Sequence, residues 1–160
     1  MTPLQALNSA TPGEASETLS ACCGARAWVE RMVAARPYTD SAQLFRTAEQ
    51  AWEIADRGDK LEAFSQHPRI GERAGGWAAQ EQRGVAGADE PTLQKLSSGQ
   101  RAYEARFGFI FLVCATAKDA AQLLALLDAR LRNPPSTELE IAATEQAKIT
   151  RIRLEKLLTP

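Results

Sequence analysis

The chain has little of what most often builds metal, redox or disulfide chemistry. Its 160 residues include one histidine, His67, and three cysteines, Cys22, Cys23 and Cys114. Two of the cysteines are neighbours, so no disulfide framework is expected. With a single histidine and no Cys-x-x-Cys, no metal site is expected either. An excess of one charge is also missing, since 19 Lys and Arg stand against 20 Asp and Glu for a net charge of -1. No segment gathers Lys and Arg among aromatics, and phosphate binding needs a concentrated positive field, so nucleic acid is not an expected partner. Apolar runs fall short of the roughly 20 residues that span a bilayer. Met1-Thr2-Pro3-Leu4 lacks a basic stretch leading into an apolar one, so neither a signal peptide nor a membrane partner is expected. Glycine-rich phosphate loops, nucleophile elbows and helical metal motifs are absent as well. These absences describe a reduced, cytoplasmic protein without a structural metal.

Helix signals fill the space they leave. Thr11-Pro12-Gly13-Glu14 joins a cap residue, a first-turn proline and a glutamate three residues after the cap, and the helix it starts is expected to end near Gly24. Trp28, Met32 and Val33 mark a second helix that Pro37 stops. Asp40 or Ser41 caps a third, with Leu44, Phe45, Ala48, Ala51, Trp52 and Ala55 at helical spacing and Gly58 as its stop. Asp59 opens a short helix ending before His67-Pro68. A glycine loop over 71–77 leads to a short helix around 78–85 that carries Glu81 and Gln82. Asp89-Glu90-Pro91 starts a helix running to about Arg106. Phe107 to Ala115 is continuously apolar; periodicity leaves strand and buried helix both open, and the lack of any partner strand favours a helical or irregular path. Ala120, Leu123, Leu124, Leu127 and Leu131 form one more helix, closed by Asn133-Pro134-Pro135, and a last helix covers about Thr137 to Leu158. The expected fold is all-α, one domain over 1–160, a compact bundle of about seven to nine helices.

Few residues stand out as chemical. His67 is a loop histidine without a task or a proton-transfer group, for which an ordinary pKa of about 6.5 suits it. Pro68 stiffens its backbone, and the glycines that follow let a ligand approach. Glu81-Gln82 matters only if its helix faces His67. On the last helix, at 100° per residue, Ile141, Ala142, Ile149, Ile152 and Leu157 share a sector that includes Arg153, while Leu154 and Leu158 fall outside it. A core-side arginine needs an anion, because burying an unpaired charge is costly. That anion is an internal carboxylate or a substrate carboxylate or imide. Cys114, in an apolar run, reads as a packed thiol.

Together these residues resemble the 2-oxo-4-hydroxy-4-carboxy-5-ureidoimidazoline (OHCU) decarboxylases of the urate-to-allantoin pathway. The matching segments are Phe64-x-x-His67-Pro68-Arg69-Ile70-Gly71, Glu81-Gln82, Tyr103-x-x-x-Phe107-Gly108-Phe109-x-Phe111, Arg130-Leu131-x-Asn133, Glu138-Leu139 and Ile149-x-x-x-Arg153-Leu154. They keep the family's order from about residue 8 to 158. The chain departs from the pattern at Ala78, where the family has serine, at Gln100 for asparagine and at Ile110 for proline. The resemblance implies a cofactor-free decarboxylase, a homodimer, acting on OHCU as its small-molecule substrate. It implies His67 as proton donor, Glu81 as its partner or as the holder of the substrate hydroxyl, and Arg153 on the anionic ring or carboxylate. Gln82 would bond the substrate amides. Pro68, Ala78 and the stretch Phe111, Leu112, Val113, Cys114 and Ala115 would line the pocket. Two alternatives stay open: a lyase or hydrolase for another cyclic ureide, and a non-catalytic helical interaction module.

Overall fold

A computed structural model describes residues 1–72 and 75–160. Residues 73 and 74 of the expected glycine loop lie outside the described residues. Nine α-helices and one 3₁₀ turn appear among the described residues: α1 (Pro3–Ser9), α2 (Pro12–Ser20), α3 (Arg26–Ala34), α4 (Ser41–Glu53), α5 (Arg57–Ser65), α6 (Gly76–Glu81), the 3₁₀ turn (Arg83–Val85), α7 (Glu90–Phe107), α8 (Ala120–Arg130) and α9 (Pro135–Leu158). The all-α expectation holds.

The caps account for most of the boundaries. Thr11 and Glu14 close a reciprocal capping box on α2, while Asp40, Asp89 and Asp119 accept first-turn N–H groups of α4, α7 and α8. Each such cap contributes about 1 kcal/mol. Four boundaries differ from the reading of the sequence, one of them at α6, which spans Gly76–Glu81 instead of about 78–85 and leaves Gln82 just outside it. α1 was not expected, yet Thr2, Pro3 and Gln5 repeat the capping box of α2. α2 ends at Ser20, short of Gly24. Gly58 lies inside α5 and stops nothing, because Asp56 and Asp59 exchange side-chain-to-backbone bonds that start that helix earlier.

The chain forms two compact units, residues 1–63 with 147–160 and residues 64–146. In the first, Trp28 is wholly buried and donates from Nε1 to the Ala48 carbonyl at 3.1 Å, and the Tyr38 hydroxyl donates to the Met32 carbonyl at 2.6 Å. Arg36 ties the end of α1 in place by donating to the Leu7 and Ala10 carbonyls, each at 2.8 Å.

In the second unit α7 lies along α8. Their closeness depends on Gly99, where a Cβ would stand 2.6 Å from Leu127 Cδ2. Tyr103 is ringed by Phe107, Phe109 and Phe111 at centroid distances of 4.5, 5.9 and 5.5 Å. Such aromatic pairs add about 0.5–1.5 kcal/mol each beyond area burial. Gly108, at φ 82°, ends α7 in the left-handed conformation that glycine adopts without strain. The chain then runs from Phe109 to Ala115 with no regular structure. Gly84, in the 3₁₀ turn, is packed so tightly on the Lys118 carbonyl that a Cβ would sit 2.0 Å from its oxygen.

Candidate active site

Within the second unit, the segment carrying His67 leaves α5 in a tight turn, its N–H donating to the Phe64 carbonyl at 3.2 Å. Three of the next four residues, Arg69, Ile70 and Gly71, are strapped down. Arg69 meets the Glu104 carboxylate from both Nε and Nη2, at 2.9 and 2.7 Å, and pairs with Glu72 at 3.2 Å. Gln100, 2% exposed, accepts from the Ile70 N–H and donates to its carbonyl, both at 2.9 Å. Gln100 stands where the family has asparagine, and its bonds give it a structural task. Gly71, at φ 89°, donates its N–H to Gln82 Oε1 at 3.0 Å. His67 thus sits at the head of a loop held by α7 on one side and by Gln82 on the other.

His67 is half-buried, and its Nε2 lies 2.6 Å from the amide oxygen of Gln146, which is wholly buried. Gln146 is on α9, next to Glu145, whose carboxylate accepts the Cys114 N–H at 3.1 Å. Phe111, Leu112, Val113, Cys114 and Ala115 are all buried. Their path is irregular because side chains, not a partner strand, take up its backbone groups. The Leu112 carbonyl accepts from Arg130 Nη1 at 2.6 Å, and the Cys114 carbonyl from Lys118 Nζ at 2.8 Å. This satisfies buried polar groups that would otherwise cost about 1–3 kcal/mol each.

Arg130 belongs to a second cluster. It forms a buried ion pair with Glu138, which also accepts from the Tyr103 hydroxyl at 2.6 Å and from Asn133 Nδ2 at 3.0 Å. The Tyr103 pKa is raised, first by burial and then by its bond to Glu138. Four residues of the recognised segments therefore form one structural network.

The other expected site residues are placed as follows. Glu81 is buried at the end of α6. Ala78 is half-buried on the same helix, and its carbonyl accepts the Gln82 N–H at 3.1 Å. Gln82 spends its amide oxygen on Gly71 while its nitrogen lies 3.5 Å from the Arg69 carbonyl, at the limit of a bond. Pro68 is half-buried. Arg153 belongs to the first unit, is half-buried, and donates to the Ala21 carbonyl at 3.0 Å. Leu154 is buried at 1% exposure, so the buried arc of α9 is wider than the apolar sector drawn from the sequence. A cavity of about 540 Å³ is lined by Arg69, Ile70, Glu72, Leu96, Gln100 and Glu104, and His67 does not line it. Arg69 pairs there with Glu72 and Glu104, and Gln100 with Ile70, so these side chains are already engaged with one another. No group of acids, cysteines and histidine that could hold a metal ion occurs among the described residues.

Gln146 and Glu145 were missed in the sequence. The signal was there: Glu138, Ala142, Glu145, Gln146 and Ile149 follow one another at helical spacing, all buried, three of them polar. A polar residue on a buried stripe requires a partner, and the partners turn out to be the loop of His67 and the segment of Cys114.

Residues 8–155 match the OHCU decarboxylase family model. The chain belongs to the OHCU decarboxylase family. It is 35% identical over 148 residues to the uric acid degradation bifunctional protein TTL of Arabidopsis thaliana, covering 86% of this chain and 45% of that one. It is 27% identical over 158 residues to the Bacillus subtilis uric acid degradation bifunctional protein PucL, covering 96% of this chain and 32% of that one. The chain therefore spans half or less of the length of these two relatives. A crystal structure of an OHCU decarboxylase in the presence of (S)-allantoin superposes with a TM-score of 0.83 at 36% identity, covering 91% of this chain and 99% of that one.

Proposed function

We propose that this chain, as a single family domain over 1–160, decarboxylates OHCU to (S)-allantoin without a cofactor, with His67 as proton donor. The observation that carries the reading is the placement of His67: half-buried, at the head of a strapped loop, and bonded to a buried amide. It is joined by the sequence match over 8–155.

The substrate carboxylate sits on a carbon that bears a hydroxyl and adjoins a C=N bond. As carbon dioxide leaves, the C–C electrons form a C=C bond and the C=N electrons move onto nitrogen, which takes a proton. The resulting enol becomes the ketone as its hydroxyl proton is lost and a proton is delivered to the neighbouring carbon. Delivery to one face makes the product chiral, and that is the task given to His67. Glu81 holds the substrate hydroxyl or His67, and Arg153 binds the anionic ring or carboxylate. Gln82 offers its loosely held amide N–H groups to the substrate amides. Pro68, Ala78 and the 111–115 stretch line the pocket. The reading extends to a homodimer in the cytoplasm, the first of which sedimentation measures.

The test is to generate OHCU in situ from urate and follow optical activity. The protein should speed the appearance of (S)-allantoin alone; unchanged racemic decay, or the opposite hand, would overturn the reading. Ala78 favours one rival, a lyase or hydrolase for a related cyclic ureide, because a hydroxyl expected at that position is absent. A panel of cyclic ureides and their carboxylates separates the two.

A further inference from the structure

We propose that Gln146 is a positioning residue for His67, its amide oxygen keeping the imidazole proton on Nε2 and leaving Nδ1 as the nitrogen that exchanges protons with substrate. The proposal rests on the reading of His67 as proton donor given above.

An amide oxygen accepts hydrogen bonds and cannot donate one. At 2.6 Å from Gln146 Oε1, Nε2 must therefore carry the hydrogen. In a neutral imidazole the other nitrogen then holds the lone pair. Gln146 is held by its surroundings: it is wholly buried, on α9, beside a residue that itself anchors the Cys114 N–H. On its own side the ring is confined by Pro68, which restricts the His67 backbone, and by the His67 N–H bond to Phe64.

The consequence is chemical. When the imidazolium gives up its Nδ1 proton, the N–H bond breaks and a C–H bond forms at the former C=N carbon, adjacent to the carbon that lost the carboxylate. The neutral ring that remains is already the tautomer that Gln146 favours. No ring turn separates one turnover from the next, and Nδ1 is reprotonated from water.

His67 is the chain's only histidine, so one pair of imidazole nitrogen resonances reports on it. In ¹⁵N-labelled wild-type protein, at a pH where the ring is neutral, ¹H–¹⁵N correlation spectra should show Nε2 protonated and Nδ1 bare. A ring protonated on Nδ1, or an even mixture, overturns the proposal without need of any variant. Gln146→Met removes the acceptor and should give mixed tautomers, a kcat about tenfold lower and a KM within about twofold of wild type. Gln146→Glu keeps an acceptor oxygen and should keep the Nε2–H tautomer. A Met variant with wild-type tautomer and kcat overturns the proposal. Wild-type protein with the expected tautomer but no action on OHCU overturns the decarboxylase reading, and with it the catalytic half of this proposal.

Discussion

Helix α9 presents buried polar side chains at two levels, and their partners differ. Near its start, the Glu138 carboxylate is fully enclosed by Arg130, Tyr103 and Asn133, with Arg130 itself only 6% exposed. Two turns later, Gln146 is enclosed as completely, but the group it meets, His67, keeps about the exposure of a half-buried surface residue. In the first cluster a buried charge is paired with a buried charge. In the second, a titratable ring stands between a fixed amide and the outside. The same helix face supports a structural lock in one place and, in another, the group proposed above to move protons. What separates them is access to water and the chemistry of the partner, not burial of the α9 side chain.

The largest expected effect comes from breaking the lock. Glu138→Ala leaves Arg130 buried without its carboxylate and should destabilise the protein by about 3–5 kcal/mol in urea denaturation. If the loss is under 1 kcal/mol, the cluster is not the lock described. Arg153→Ala, which removes the proposed anion clamp, should raise KM about tenfold or more while kcat changes far less. A kcat loss with KM unchanged would move Arg153 from binding to chemistry. Gln100→Leu strips both bonds from Ile70 and should cost about 1–3 kcal/mol, with a fall in turnover because the His67 loop loses a strap. The smallest effect concerns the thiols of the first unit. Burial pushes Cys22 up to about 12 and Cys23 up to about 11, the Arg153 charge opposing this only in part. Their ordinary value is 9.0, so the folded state holds the protons more tightly than the unfolded one. Stability from this source is complete below pH 9 and is lost as pH rises toward 11 and 12. Denaturation at pH 8 and pH 10 checks the sign, and iodoacetamide at pH 8 should leave both thiols unmodified until the protein unfolds.

Much of the fold was legible because caps and stops are written in single residues. Thr11, Asp40 and Asp89 each start a helix where a side-chain oxygen can meet a first-turn N–H. α1 carries the same signal in Thr2 and Pro3, but its seven residues are too few to show an apolar period. Gly58 misled because a glycine is tolerated in a helix at a cost of about 1 kcal/mol, and the Asp56–Asp59 box offsets it. The proposed site residues were legible unevenly. His67 and Arg153 stand out as a rare residue and as a charge on an apolar sector. Gln146 and Glu145 do not, since a polar residue on a helix reads as solvated until tertiary packing buries it. The segment 107–115 was undecidable for the same reason: its backbone partners include the Arg130 and Glu145 side chains, both distant in sequence.

The most direct test of the account is the rate at which His67→Ala converts OHCU, generated from urate, into optically active allantoin. A turnover lower by about 10²-fold or more, with an unfolding midpoint close to wild type, is the predicted result. A folded variant that forms allantoin of one hand as fast as wild type would contradict it.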